Sequence, residues 1–383
     1  MEILSCENVA FKYNESTDYA ISDCTFSVKK GEKIMLCGAS GSGKSTLLRL
    51  LKRELSPRGE LSGNITLMGK GRSELSARES AEKIGFVMQN PDSQTVCDKV
   101  SAELAFGLES FGVKSGEIQS RVGEMAAFFG IEPLYDRDIS TLSGGQKQLV
   151  ALCSVMATDP DILLLDEPTA QLDPVAAREL LGILDRLNKE MGVTIIIAEH
   201  DPEELFDSCD KILYLAKGKT EFFGTPALTA KYFVENALGG FLPETAKAFA
   251  RLCDDLPLNV RQGRAKLEKL GVTDIPKQAV TDTERAEPYA LQCKNLWQRY
   301  EKNSPDILKG CDLGIRKGEC YGLLGSNGGG KSTLLRVICG LSKPYMGAVS
   351  LFGKKQKAYK NGSLFREMLA FLPQEPVTMF VKE

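Results

Sequence analysis

An eight-residue glycine-rich pattern occurs twice in the chain and constrains its fold more than any other feature. The pattern reads Gly38-Ala-Ser-Gly-Ser-Gly-Lys44-Ser45 and recurs as Gly325-Ser-Asn-Gly-Gly-Gly-Lys331-Ser332. The glycines let successive backbone N–H groups point at phosphate oxygens, the lysine reaches the β- and γ-phosphates, and the serine hydroxyl binds Mg²⁺. A helix that begins at the lysine adds its partial positive charge. Each copy therefore predicts a phosphate-binding loop between a strand and a helix.

The two loops belong to a longer internal repeat. With a constant offset of 287 residues, 18 of the 46 positions from Leu4 to Arg49 are identical to their counterparts. The identities include Tyr13 with Tyr300, and the offset has drifted to 285 where Gln89 meets Gln374. A period this long predicts a duplicated domain and not a solenoid.

The repeat predicts three parts in the 383-residue chain. Residues 1–235 form the first copy, residues 236–286 form a helical extension or linker, and residues 287–383 form the N-terminal part of a second copy. The second copy is predicted to be truncated after Gln374, so the chain is expected to be a fragment of a longer product or a natural truncation.

Apolar runs alternate with helical patterns through the first copy, which predicts an α/β fold with a parallel sheet and chemistry at the carboxyl ends of its strands. The first thirty residues predict an antiparallel β arm. The predicted strands and helices are, in order, strands 33–37, 84–88, 162–166 and 194–198 and helices 44–54, 145–158, 174–190 and 202–209.

Two adjacent carboxylates, Asp166 and Glu167, end one of these strands. Asp166 is predicted to hold Mg²⁺ and Glu167 to polarise an attacking water. An acidic pair at a strand end is equally typical of sites without function, so this pair acquires meaning only from the motifs around it.

Composition excludes several classes of protein. The formal charge of −3 arises from 48 basic and 51 acidic residues, which disfavours a nucleic-acid tract. The longest apolar runs are a few residues, whereas a membrane span needs about 20, and no secretory leader is predicted. The eleven cysteines are expected to be reduced thiols, and the single histidine, His200, excludes zinc sites built on several histidines.

The order and spacing of further motifs resemble an ATP-binding cassette (ABC) ATPase. The motif Leu142-Ser-Gly-Gly-Gln146 is followed by a predicted helix and then by the predicted strand that ends at Asp166. The motif Ala-Gln-Leu-Asp173 follows the acidic pair, and Glu199-His200 comes at the end of the next predicted strand. The resemblance covers the first copy and all of the second. It implies the phosphate-loop NTPase fold of an ABC cassette, with an antiparallel β arm and a helical subdomain, and it implies hydrolysis of ATP with Mg²⁺.

The resemblance also implies roles for individual residues. Hydrolysis would depend on Glu167, His200 and Gln89, and Asp173 would lie at a dimer interface. The residues implied to bind nucleotide are Tyr13, Gly38, Ser40, Gly41, Gly43, Lys44, Ser45, Thr46, Tyr300, Gly325, Asn327, Gly328, Gly330, Lys331, Ser332 and Thr333. The residues implied to contact the nucleotide of an opposite cassette, here called the signature, are Ser143, Gly144, Gly145 and Gln146. The implied Mg²⁺ ligands are Ser45, Gln89, Asp166, Ser332 and Gln374.

Residues 89–112 are similar to a narrower group, the ATPases of energy-coupling factor (ECF) transporters. The similarity lies in a Gln-Asn-Pro-Asp start at Gln89 and a Glu-x-Ala-Phe-Gly stretch, and residues 256–260 resemble the C-terminal extension of such ATPases. This group implies import of a vitamin or metal cation, with an integral membrane coupling protein, a small substrate-binding membrane protein and a second ABC cassette as partners. It places the chain peripherally on the cytoplasmic face of the cell membrane. Residues 92–109, which include four acidic side chains, are predicted to form the docking surface.

Two alternatives and one departure accompany this interpretation. A soluble tandem ABC ATPase acting on ribosomes or translation is typically built with a long charged linker, whereas residues 236–286 are balanced in charge. A DNA-repair ATPase would carry a coiled-coil insertion, which the first copy lacks. The arginine usual three residues after the signature glutamine is replaced by Leu149.

Overall fold

The structure is a computed structural model and describes residues 1–200, 202–271, 288–302, 304–359 and 363–373. The chain divides into two units, Met1–Ile275 and Pro276–Glu383, here called unit 1 and unit 2. Gln374 and residue 201 lie outside the described residues. No helix in the described ranges combines the length and the apolar character needed to cross a membrane.

The strands and helices of unit 1 follow one another in an α/β order. Its strands are β1 (Glu2–Tyr13), β2 (Ile21–Lys29), β3 (Lys33–Cys37), β4 (Gly59–Leu67), β5 (Lys70–Gly71), β6 (Ile84–Val87), β7 (Ile162–Asp166), β8 (Thr194–Ala198), β9 (Lys211–Ala216) and β10 (Lys219–Gly224). Its helices are α1 (Lys44–Leu51), α2 (Ala77–Lys83), α3 (Val100–Ser110), α4 (Ser115–Phe129), α5 (Gly144–Met156), α6 (Pro174–Met191), α7 (Pro226–Glu235), α8 (Glu244–Phe249) and α9 (Val260–Lys269).

A six-stranded sheet forms the centre of unit 1, in the order β10-β9-β3-β8-β7-β6. The five strands from β9 to β6 are parallel and β10 is antiparallel, so the sheet is mixed. Every residue of β3, β7 and β8 is buried, as expected for parallel strands covered on both faces. The predicted strands are confirmed, although β6 ends one residue early.

Two apolar layers cover this sheet. On one face, α5, α6 and the helical subdomain of α3 and α4 pack through residues such as Leu152, Leu184 and Phe129. On the other face, α1 and the antiparallel sheet β2-β1-β4-β5 pack through residues such as Leu48 and Phe11. The predicted antiparallel arm is therefore confirmed, and it lies beside the phosphate loop that precedes α1.

The helix predicted at residues 202–209 is wrong, because this segment forms hydrogen-bonded turns. Both Leu205 N and Phe206 N donate to the carbonyl of Pro202, and the two side chains are buried in the core. A segment of eight residues is too short for helix propensity to prevail on its own. The two buried side chains therefore determine its conformation.

The region after residue 235 packs onto unit 1. Leu242 and Ala246 enter the same apolar core as Phe206. The carboxylate of Glu203 accepts the backbone N–H of Glu244 at 2.7 Å, which satisfies an open donor at the start of α8. Residues 236–271 are thus part of unit 1, consistent with a helical extension.

Unit 2 contains a four-stranded sheet and a helix that are similar to the arm and the first helix of unit 1. It contains β11 (Tyr289–Gln298), β12 (Leu308–Arg316), α10 (Lys331–Ile338), β13 (Met346–Leu351), β14 (Lys354–Lys355) and a π-helical turn at Leu364–Met368. Its sheet has the order β12-β11-β13-β14, which is the order of the unit 1 arm. Residues 320–324 align with β3 but are not a strand, and Leu324 is 92% exposed. β3 is a buried strand because β8 and β9 flank it, and no described strand of unit 2 pairs with residues 320–324.

Candidate functional site

The phosphate loop of unit 1 connects the buried strand β3 to α1. Gly38, Gly41 and Gly43 have φ angles of +154°, +76° and +103°, a region that L residues rarely adopt. Gly43 is the N-cap of α1, so the N–H groups of the first helical turn point toward the loop. Ser40 and Gly41 are exposed on the outer side of the loop. The loop therefore presents backbone donors as the glycine pattern predicts.

Lys44 is the buried cation of this loop. It is only 4% exposed, and its Nζ donates to the carbonyls of Gly38 and Ala39 at 2.9 and 3.2 Å. Burial lowers the pKa of its ammonium, while the negative charge of Glu167 opposes that shift. The ammonium is thus held inside the phosphate loop and close to the acidic pair.

The acidic pair lies where β7 ends. Asp166 is buried, and its Oδ1 accepts the hydroxyl of Ser45 at 2.7 Å, across from the first turn of α1. Glu167 follows in the left-handed region with a φ of +48°, which turns its side chain away from the strand direction. The two carboxylates therefore face different partners although they are neighbours in sequence.

Glu167 is contacted from the two neighbouring strands. Its Oε2 accepts the amide of Gln89 at 2.9 Å, and its Oε1 lies 2.7 Å from Nε2 of His200. Gln89 follows β6 and His200 follows β8, and these strands flank β7 in the sheet. The structure thus brings together the three residues that the sequence predicts to act in hydrolysis.

The oxygen donors of Ser45, Asp166 and Gln89 are of a kind that fits a magnesium ion. The hydroxyl of Ser45, the carboxylate of Asp166 and the amide of Gln89 are hard oxygen donors of the kind that Mg²⁺ prefers. Mg²⁺ is usually held by one or two carboxylates together with substrate phosphates. Among the described residues, no cluster of three or more His, Cys, Asp or Glu residues is suited to hold a metal by itself.

Tyr13, which the ABC resemblance implies to bind nucleotide by stacking on the adenine, is half-buried at the end of β1. Its hydroxyl shares a hydrogen bond of 2.9 Å with Thr46, and Phe11 packs edge-on against its ring. Its position beside the phosphate loop agrees with the expected place, and stacking on a base stays a prediction.

The signature residues begin α5. Ser143 is the N-cap, and its hydroxyl accepts the N–H of Gln146 while the Gln146 side chain accepts the N–H of Ser143. Ser143 and Gly144 are exposed, and a Cβ at Gly145 would lie 3.1 Å from Ala176 on α6. The signature therefore faces outward on a fixed helix start, where a second molecule can reach it.

The phosphate loop of unit 2 has a similar local geometry. Lys331 Nζ donates to the carbonyls of Gly325 and Ser326, both at 2.7 Å, and Gly330 is the N-cap of α10 with a φ of +86°. The hydroxyl of Tyr300 shares a hydrogen bond of 3.0 Å with Thr333, which repeats the Tyr13–Thr46 contact. The other predicted residues of this loop, Asn327, Gly328 and Ser332, are exposed. Gln374 lies outside the described residues.

The predicted docking segment is less acidic than its sequence suggests. Glu103 is buried, and its carboxylate accepts the N–H groups of Val96 and Cys97 at 3.0 and 2.8 Å. Asp92 forms an ion pair of 2.6 Å with Lys147 on α5. The expectation of an acidic docking surface is therefore wrong for Glu103, because this carboxylate satisfies two backbone donors inside the fold.

Beside this segment lies a groove of about 290 Å³, formed by the side chains between β6, α3 and α5. Its lining is mostly apolar and includes Met88, Val96 and Phe106. Val96 and Phe106 are 65% and 43% exposed. We refer to this feature as the α3 groove.

The sequence predicts no role for Glu199, a buried carboxylate that directly precedes His200. Glu199 is 5% exposed and accepts both the N–H and the hydroxyl of Thr169. Its signal in the sequence is a carboxylate at the end of the apolar run 195–198, directly before His200.

Comparison with known proteins agrees with this geometry. A family model described as ABC transporter matches residues 21–170 and 308–382. A Bacillus thuringiensis protein named as an ABC transporter ATP-binding protein is 38% identical over 375 residues, which cover 97% of this chain and 68% of that protein. A Methanosarcina mazei protein of the same name is 34% identical over 393 residues, covering 97% of this chain and 66% of that protein.

Two solved structures are similar in fold to a large part of this chain. The first is cbiO1 of Clostridium perfringens, described as part of the ABC transporter complex cbiONQ, with a TM-score of 0.56 and 32% identity over 69% of this chain and 98% of that chain. The second is the dimeric cassette MJ0796 bound to ADP and Pi, with a TM-score of 0.51 and 27% identity over 58% of this chain and 98% of that chain.

Proposed function

This chain belongs to the ABC transporter ATP-binding family and is an ATPase, and we propose that it drives an importer of the ECF type that takes up a vitamin or a metal cation. The observation that carries the hydrolytic part is the contact of Gln89 and His200 with the two oxygens of Glu167. The importer part is supported by the likeness to cbiO1 of a cbiONQ complex and by the ECF-like residues 89–112.

In the proposed mechanism, the loop 38–46 and Lys44 bind the phosphates of ATP, and Tyr13 contacts the adenine. Ser45, Asp166 and Gln89 would hold Mg²⁺, as their oxygen donors permit. When bound, Mg²⁺ neutralises charge on the β- and γ-phosphates. The buried Lys44 is already directed into the loop by two carbonyls, so binding exchanges these acceptors for phosphate oxygens.

Glu167 is the general base that accepts a proton from the attacking water, and Gln89 and His200 orient it. With one donor on each carboxylate oxygen, the side chain is fixed at distances of 2.9 and 2.7 Å. A positioned general base typically contributes about 10²–10⁴ in rate. His200 also lies at the exposed edge of the site, where it can contact the γ-phosphate.

We further propose that the outward-facing signature, Ser143 to Gln146, binds the γ-phosphate of the nucleotide in a second cassette. The exposed N-terminus of α5 suits an anion because its backbone donors point outward. Unit 2, with Lys331 and its loop, is proposed to be a second copy of the phosphate-binding fold, supported by the repeated hydrogen bonds of its lysine and tyrosine. Ser332 and Gln374 would supply its Mg²⁺ ligands.

The α3 groove is proposed to receive the membrane coupling protein, which works with a small substrate-binding membrane protein, on the cytoplasmic face of the membrane. Two lining residues, Met88 and Val96, lie on either side of Gln89 in the sequence, so a change at the γ-phosphate can be passed to the groove through residues 90–97. Its apolar lining favours a partner segment that inserts an apolar side chain. The exposed Asp98 and Glu109 of residues 92–109 add negative charge to the same segment.

A co-purification experiment tests this proposal against a soluble role on ribosomes. Full-length chain purified from detergent-solubilised membranes should carry an integral membrane protein and should hydrolyse ATP. Val96→Asp, inside the groove, should abolish that association, whereas Leu228→Asp should not. The two side chains are a matched pair because they are 65% and 58% exposed and only Val96 lines the groove. Ribosomal proteins in place of a membrane protein, or equal behaviour of both variants, would contradict the proposal.

A further inference from the structure

Glu199 is a buried carboxylate without a place in the mechanism above. It follows the last residue of β8, and only 5% of it is exposed. Its Oε1 accepts two hydrogen bonds from one residue, the N–H of Thr169 at 3.0 Å and the Thr169 hydroxyl at 2.8 Å. These bonds join two segments that are 30 residues apart in sequence.

The buried position of Glu199 disfavours the ionised form of its carboxylate. Burial raises the pKa of Glu199 to about 7, with the Thr169 hydrogen bonds acting in the opposite direction and the charge of Glu167 raising it further. A neutral side chain of similar size would avoid this cost. Buried carboxylates with such an environment are frequent at functional sites, which directs attention to what the side chain holds.

Thr169 is the centre of the turn that carries Glu167. The N–H of Glu167 donates to the carbonyl of Ala198 at 2.9 Å, and the turn continues through Ala170 N to Glu167 O and Leu172 N to Thr169 O. The turn is thus attached to β8 at two points, the backbone of Ala198 and the side chain of Glu199. The positive φ of Glu167 makes the first residue of the turn strained, so the second attachment matters for its position.

We propose that Glu199 is a positioning residue for ATP hydrolysis, because it fixes the Glu167 turn to the segment that links the end of β8 to His200. This role rests on the proposed function of Glu167. It also extends to residues 170–173, whose Asp173 is expected at the interface with a second cassette. Misplacement of a reacting group by about 1 Å can cost about 10²-fold in rate.

The test compares four variants of the full-length chain in ATP binding and steady-state hydrolysis. Glu199→Ala removes the acceptor and should lower kcat about 10- to 100-fold, with KM for ATP changed less than about 3-fold, because the phosphate loop is intact. Glu199→Gln keeps an oxygen acceptor for both bonds and should restore kcat to within about 3-fold of wild type. Thr169→Val loses one of the two bonds and should fall between them.

Glu32→Ala serves as the matched control. Glu32 is a half-buried carboxylate that accepts the N–H of Lys29 at 2.8 Å and pairs with Lys211. It precedes β3 and therefore lies at the amino ends of the parallel strands, whereas Glu199 lies at their carboxyl ends. Its removal should lower the melting temperature without changing kcat. A loss of kcat in Glu32→Ala equal to that in Glu199→Ala would show a general effect of stability and would overturn the proposal.

The other outcomes are equally decisive. Wild-type kcat in Glu199→Ala with normal ATP binding overturns the positioning role and leaves the proposed function intact. A raised KM with unchanged kcat, or a Glu199→Gln variant as slow as Glu199→Ala, overturns it as well. Failure of the wild-type chain to bind ATP would instead refute the proposed function, and the role of Glu199 with it.

Discussion

Replacing Gly43 by alanine should destabilise unit 1 much more than the same change at Gly41. Both glycines lie in the phosphate loop and both have positive φ, +103° and +76°. A Cβ at Gly43 would lie 2.7 Å from the carbonyl oxygen of Ala20 and 2.7 Å from Cδ1 of Ile21, whereas a Cβ at Gly41 meets nothing within 4 Å. The pair therefore separates backbone strain from steric overlap.

The expected magnitudes follow from these contacts. A left-handed conformation costs an L residue about 1–2 kcal/mol, which both variants incur. Forcing an extra methyl against fixed neighbours costs about 1–3 kcal/mol more, and only the variant at Gly43 incurs it. The free energy of unfolding should fall by about 2–5 kcal/mol for Gly43→Ala and by about 1–2 kcal/mol for Gly41→Ala.

Urea denaturation of unit 1 without nucleotide measures the difference, since bound ATP would stabilise the folded state by mass action. The midpoint should shift with an unchanged slope, which marks a change in stability and not in the denatured state. Equal losses in the two variants, or a larger loss at Gly41, would refute the argument that Ala20 and Ile21 close the space beside Gly43.

Three further predictions concern charged side chains. Glu167→Gln should keep ATP affinity, because the phosphate loop and Lys44 are unchanged, while single-turnover hydrolysis slows about 10²–10⁴-fold. The exposed Glu204→Gln should hydrolyse normally, and normal turnover in the first variant would reject Glu167 as the base. Lys33→Met removes the buried cation that pairs with Asp185. The free energy of unfolding should fall by an amount near the lower end of about 3–5 kcal/mol, because Asp185 is partly exposed. Thermal unfolding measures this loss, and adding Asp185→Leu to the same protein should recover part of it. Burial raises the pKa of Glu199 from 4.5 to about 7, and the negative charge of Glu167 adds to this shift. Between pH 4.5 and 7, the Glu199 carboxyl is therefore protonated in the folded state and ionised in the unfolded state. The stability of wild type relative to Glu199→Gln should therefore fall as pH rises from 4.5 to 7 and stay level above it, and a flat difference in denaturant titrations would contradict the shift.

The parts of the fold that sequence predicts best are those fixed by a short local pattern. The apolar runs 162–165 and 195–198 predict buried strands of a covered sheet, and the glycine spacing before Lys44 places the loop at the start of α1. Glu167 directly follows β7, and His200 lies two residues after the end of β8. Their contact then follows from the adjacency of β7 and β8, which the chain order does not state but the fold requires.

Contacts between residues that are distant in the chain could not be predicted from the sequence. The sequence predicts Glu103 as a solvated helix residue, yet its carboxylate accepts hydrogen bonds from two backbone N–H groups of the preceding loop. Glu199 meets Thr169 only because a strained turn at Glu167 brings it back toward β8. Residues 320–324 show the converse, since a sequence aligned with β3 is not a strand where no described strand flanks it.

The cap at the start of α5 has a consequence for the rate and affinity of pairing between cassettes. The hydroxyl of Ser143 accepts the N–H of Gln146, so its rotamer is set while its own hydrogen remains able to point away from the helix. Immobilising a side chain at an interface usually costs about 0.5–1.5 kcal/mol. In the proposed two-cassette site, that entropy is already lost when the helix folds. Docking of a second nucleotide-bound cassette would then proceed without a rotamer search at Ser143, and the capping glutamine would influence association although it need never contact the phosphate.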